Sequence, residues 1–138
     1  MSIEEQIINM PLIDSEHKIV QLELDGKAIL LFPFNNEMSH CYILEGFLKR
    51  KDISYEMVKV RDFNIPSQLG ERYKVVGAGR AKVNANGKLA LFHDYSRDYN
   101  LEINKEHLYL VRSLMPEWEF ELKDIYDERQ FEARFGKK

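Results

Sequence analysis

The chain has 138 residues, a net charge of −3, 44% hydrophobic and 31% charged residues, and one cysteine. That size and apolar content predict one folded domain over 1–138 rather than a disordered chain, and the acidic balance argues against a nucleic-acid coat, which needs a basic surface. Cys41 alone excludes an intramolecular disulfide, and no apolar run approaches the ~18 residues of a membrane span, so a cytoplasmic protein with no nucleic-acid or membrane partner is expected.

In chain order, residues 2–9 suit a short helix or a loose tail, and 1–11 can be a loose N-terminal segment. The opening MSIEEQIINMPLID has no basic leader. Lys18 to Leu24 alternates, with Val20, Leu22 and Leu24 facing one way, which predicts a half-buried strand. Asp25-Gly26 is a two-residue hairpin signal, and the apolar run Ala28 to Phe32 after it suits a central strand. Asn35 or Asn36 can cap a helix from about Glu37, with Ile43, Leu44, Phe47 and Leu48 as its apolar stripe.

Ser54 to Val60 alternates again and predicts a third strand. Arg61 to Gly70, with Asn64, Pro66, Ser67 and Gly70, predicts a long surface connection. Arg72 to Val76 suits a strand, followed by Gly77-Ala78-Gly79-Arg80, the turn Asn84 to Gly87 and a strand Lys88 to Phe92. Asn104 can cap a helix to about Leu114, ended by Pro116, before a last strand over Glu117 to Leu122. Residues 123–138 form a charged C-terminal extension with Ile125, Phe131 and Phe135. Few helices and clear hairpin signals predict an α+β fold: a single mixed or antiparallel sheet of about six strands with two main helices packed on it.

Three stretches can carry chemistry. Glycines at 77 and 79 allow a close backbone approach and Arg80 offers a fork of donors to an anion, although the same pattern also marks a bulged strand. Tyr95 to Tyr99 supplies the Ser96 hydroxyl, Arg97 and successive amides that could form an anion nest, or is an ordinary polar loop. His40, at the start of a helix, meets the positive end of the dipole, which favours the neutral imidazole a base or nucleophile needs, or it simply tops the apolar stripe. His17, His93 and His107 share no ligand spacing, so no metal site is expected.

Taken in order, these stretches resemble the Janus/Ocnus family, which includes the small protein phosphohistidine phosphatases. The resemblance rests on Leu12 to Leu24 with Lys18 near the strand start, Ser39-His40 opening a helix, Gly77 to Arg80, Tyr95-Ser96-Arg97-Asp98-Tyr99, and Glu106 to Phe120. It implies a phosphatase, a metal-independent and cofactor-free phosphohydrolase, acting on a phosphoramidate such as phosphohistidine or phospholysine, with a phosphorylated protein or a small phosphoramidate as its partner. His40 would be the catalytic residue, and Lys18, Arg80, Ser96, Arg97 and Asp98 would line the phosphate site. The chain departs from the family in Ser39 for a tyrosine, in Leu30-Leu31-Phe32 where a strand arginine is usual, and in the carboxylate of Asp98, which should repel phosphate. Those departures support a rival expectation, a non-catalytic phosphate or phosphopeptide-binding or protein-interaction module on the same fold.

Overall fold

A computed structural model of the chain describes residues 6–33 and 39–122. Among these, ten strands and two helices follow one another: β1 (Ile7–Ile8), β2 (Ser15–Leu24), β3 (Lys27–Leu31), α1 (His40–Arg50), β4 (Met57–Val60), β5 (Phe63–Pro66), β6 (Tyr73–Asn84), β7 (Leu89–His93), β8 (Tyr95–Ser96), β9 (Leu101–Glu102), α2 (Lys105–Arg112) and β10 (Glu119–Leu122). Six strands make one mixed sheet in the order β1-β3-β2-β6-β7-β10. Its centre is antiparallel, and each outer strand, β1 on β3 and β10 on β7, runs parallel to its neighbour. The fold is α+β.

The two helices cover opposite faces of the sheet. On one face Val20, Leu22, Ile29 and Leu31 meet Ile43, Leu44, Phe47 and Leu48 of α1. On the other, Ile19, Leu30, Phe32, Ala81 and Phe92 meet Leu108 and Val111 of α2. A strand alternates its side chains between faces, so β2 must be apolar on both sides wherever both helices cover it. This corrects the half-buried reading of Lys18 to Leu24: Gln21, assigned by alternation to a wet face, is fully buried under α2.

Asp25-Gly26 closes the β2–β3 hairpin with both residues at positive φ, as a type I′ turn requires. Asn104 caps α2, its side-chain oxygen accepting the His107 N–H at 3.0 Å. Elsewhere the structure differs from the sequence reading. Within the segment 2–9, Ile7–Ile8 form a strand, because pairing with Leu30 and Leu31 satisfies their backbone groups and buries Ile7, while residues 2–5 of the expected helix or tail lie outside the described residues. The segment 54–60 does not join the main sheet. Met57–Val60 pairs instead with Phe63–Pro66 in a separate hairpin, so 61–70 is no plain connection. The strand expected to stop at Val76 continues: β6 runs through Gly77 and Gly79 as one twelve-residue strand, with an irregular register just before the first glycine.

The expected helix cap at Asn35 or Asn36 and the extension 123–138 lie outside the described residues. The described helix begins at His40, with Ser39 in the capping position but no side-chain cap bond. No described helix is long and apolar enough to cross a membrane.

Candidate functional site

Antiparallel pairing of β2 with β6 sets Lys18 opposite Arg80, so two cations stand side by side on the face that α1 covers. The first residue of α1, His40, reaches the same place. Its Nε2 lies 2.8 Å from the carbonyl oxygen of Gly79, the residue before Arg80. A carbonyl only accepts, so Nε2 carries the proton and the lone pair of the neutral ring is on Nδ1. No described residue hydrogen-bonds that nitrogen, and among the described residues no fully buried side-chain nitrogen or oxygen lacks a partner, so Nδ1 is not sealed in the core and faces the cleft that His40 lines. Burial holds the His40 pKa below the ordinary histidine value, with the Lys18 charge adding to it, against the Gly79 hydrogen bond and the carboxylates of Asp98 and Asp94. The ring is therefore neutral at pH 7.

The loop after β7 closes the other side. Asp94 takes positive φ and its carboxylate accepts the Tyr95 N–H at 2.8 Å, and Tyr95–Ser96 then pair with Leu101–Glu102 in a short ribbon. The chain leading from β7 into this ribbon lies so close to Gly79 that a Cβ there would stand 2.6 Å from the His93 carbonyl oxygen and 2.9 Å from that of Asp94. A Cβ at Gly77 would collide with the Gln21 side chain and stand 2.9 Å from the Asn104 backbone nitrogen. Neither glycine has positive φ. Both are there for close packing, and the bulge the sequence suggested falls beside them, where the register shift leaves Val76 as the extra residue.

Together these elements enclose a cleft of about 560 Å³ lined by Lys18, Ser39, His40, Arg61, Phe63, Arg80, Asp94, Tyr95, Arg97 and Asp98. Of the six residues named from sequence, five line it. The sixth, Ser96, is fully buried and its hydroxyl accepts the Tyr99 N–H at 3.3 Å, so it braces the loop beneath the cleft. Asp98 turns its carboxylate to the start of α1, accepting the Cys41 N–H at 3.3 Å and standing 3.8 Å from the Arg61 guanidinium. A carboxylate there is favoured by the helix dipole and holds a position that an incoming anion would contest.

Four cations face two carboxylates in this cleft, in a chain whose net charge is negative. Arg80 is 3.5 Å from Glu16, which also holds the His93 ring at 2.9 Å, and Arg61 is with Asp98. Lys18 and Arg97 have no ion-pair partner among the described residues. Cys41, next to His40, is a poor nucleophile: burial pushes its thiol pKa up. Among the described residues no three His, Cys, Asp or Glu side chains gather as a metal-binding group.

Sequence reasoning missed Arg61 and Phe63. The signal was present in Val58-Lys59-Val60 and Phe63-Asn64-Ile65, two alternating runs around a two-residue centre, but Arg61-Asp62 lacks the glycine that marks such turns. No protein-family model matches the chain, and no curated protein resembles it at a significant level.

Proposed function

We propose that the chain is a phosphohydrolase that cleaves a phosphoramidate bond without a metal, in phosphohistidine or phospholysine of a protein or in a small analogue. One observation carries the reading: a neutral histidine whose Nδ1 has no hydrogen-bond partner among the described residues shares a cleft with two cations, Lys18 and Arg97, that have no ion-pair partner among those residues either. Cations fixed around a phosphoryl group stabilise the charge that spreads over its oxygens in the transition state. Either water attacks phosphorus and gives its proton to His40 Nδ1, or Nδ1 attacks and water later releases the phosphate from it. In both routes the P–N bond breaks, and the leaving nitrogen keeps the electron pair and takes up a proton.

The test is hydrolysis of phosphoramidate by wild type and by His40→Ala. Turnover lost in the variant supports the reading, while an inactive wild type or equal rates would sink it. The Asp98 carboxylate on the α1 start favours a second reading, a module that binds a phosphorylated partner without turning it over. Thermal stabilisation by phosphate with no hydrolysis would select that one.

A further inference from the structure

The β4–β5 hairpin brings a feature to the cleft that phosphate chemistry alone does not use. Phe63 is 66% exposed and yet lines the cleft. Its place follows from the pleat. Along β5, Phe63 and Ile65 are two residues apart and share a face. Ile65 is buried in the core against α1, so that face turns toward the body of the protein. Two residues nearer the turn, the core has ended, and Phe63 projects over the cleft. Its cross-strand partner Val60 packs on the same core, which holds the base of the hairpin in position.

The lining is therefore of two kinds. Lys18, Arg80 and Arg97 supply positive charge, and the same lining carries the Phe63 ring, most of which stays exposed. Free phosphate fits only the first kind. A flexible ammonium-type stem, such as a lysine side chain, offers Phe63 no ring to stack on. A phosphoryl group carried on a flat ring satisfies both, with the phosphoryl oxygens on the cations and the ring against Phe63, in the offset or edge-on contact aromatic pairs favour.

We infer that Phe63 is a specificity-determining residue that selects ligands whose phosphoryl group is attached to a flat aromatic or imidazole ring over those with an aliphatic carrier. The inference rests on the phosphoryl-binding reading of the cleft, and it names the carrier. Phe63 acts on recognition of the leaving group. It takes no part in proton or phosphoryl transfer.

Phenylphosphonate and methylphosphonate separate the two kinds of lining, because their P–C bonds are stable and binding is read without turnover. Titration calorimetry of the full chain should show phenylphosphonate bound about five- to tenfold more tightly, the size of an aromatic contact. Cyclohexylphosphonate, apolar but not flat, should fall between the two. In Phe63→Ala the phenyl-over-methyl ratio should fall to about one, and Phe63→Trp should restore it. The exposed site makes both variants compatible with the fold, which circular dichroism checks. Equal affinity of the phenyl and methyl ligands in wild type, or a preference that survives in Phe63→Ala, would overturn the inference while leaving the phosphoryl site standing. Binding of none of the three would overturn the phosphoryl reading itself, and the role of Phe63 with it.

Discussion

His40 and His107 make a natural pair for comparison. Each lies in the first turn of a helix, on opposite faces of one sheet, and each is buried. In each the Nε2 sits against a strand carbonyl, Gly79 at 2.8 Å for His40 and Leu22 at 3.0 Å for His107. Burial lowers both pKa values. The difference is the second nitrogen. His107 Nδ1 accepts from the Gln21 amide at 3.2 Å, and that amide also pairs with both backbone groups of Asn104. His107 has both ring nitrogens hydrogen-bonded, whereas His40 Nδ1 has no partner among the described residues. Position on a helix does not distinguish the two histidines. The partner of the second nitrogen does.

Four experiments would break or sharpen that contrast. The largest effect is expected in turnover: His40→Ala should lower phosphoramidate hydrolysis by about 10²–10⁴-fold, the usual worth of a positioned acid–base group. His107→Gln should leave the rate per folded molecule within a few-fold, and a comparable loss there would dissolve the contrast. Next comes stability. Gln21→Ala removes a buried amide that holds Asn104 and His107, and should cost about 2–4 kcal/mol in urea unfolding, since several buried polar groups lose a partner together. A cost below about 1 kcal/mol would show that the network is dispensable.

The third is pH dependence. Both histidines have folded pKa values below the ordinary 6.5, so below that pH the unfolded chain binds protons that the folded chain refuses. Stability should be level, as far as these groups are concerned, above about pH 6.5 and should fall as acid is added, by up to about 1.4 kcal/mol per pH unit for each histidine. Unfolding free energies at pH 7 and pH 5 should show the slope, and His107→Gln should remove about half of it. An unchanged slope would place the acid sensitivity elsewhere. The smallest effect concerns Asp98. Asp98→Asn removes the carboxylate facing the cleft and should tighten phosphate binding by about 1 kcal/mol, an estimate for one partly exposed charge beside a helix start. Weaker binding would mean that Asp98 holds the loop in its binding shape.

Much of the framework was legible because its signals are local. Asp25-Gly26 dictates its own turn, Asn104 its own cap, and the apolar stripe of α1 its buried face. The α+β class follows from counting such elements. What could not be read depends on partners distant in sequence. Nothing in Glu119–Leu122 says that it runs parallel to β7, and nothing in Ile7–Ile8 says that β3 has an open edge beside them. Gln21 looked like a surface residue because alternation reports a period and not how many faces are covered. At the cleft, Lys18, His40, Arg80, Arg97 and Asp98 were singled out before any geometry, and they line one space. Ser96 was named for its hydroxyl, which the loop itself uses. Arg61 and Phe63 were passed over because their turn lacks glycine.

The long ladder between β2 and β6 has a consequence for the order of events in folding. Lys18 meets Arg80, and the Gly79 carbonyl reaches its place under His40, only after two strands separated by β3, α1 and the β4–β5 hairpin have found each other. Contacts so distant along the chain form slowly, because the intervening loop must close before they return any stability. The β2–β3 hairpin and α1 need no such search. During refolding, helical signal should therefore return ahead of the long β2–β6 ladder, and the cleft would be the last part of the molecule to acquire its shape.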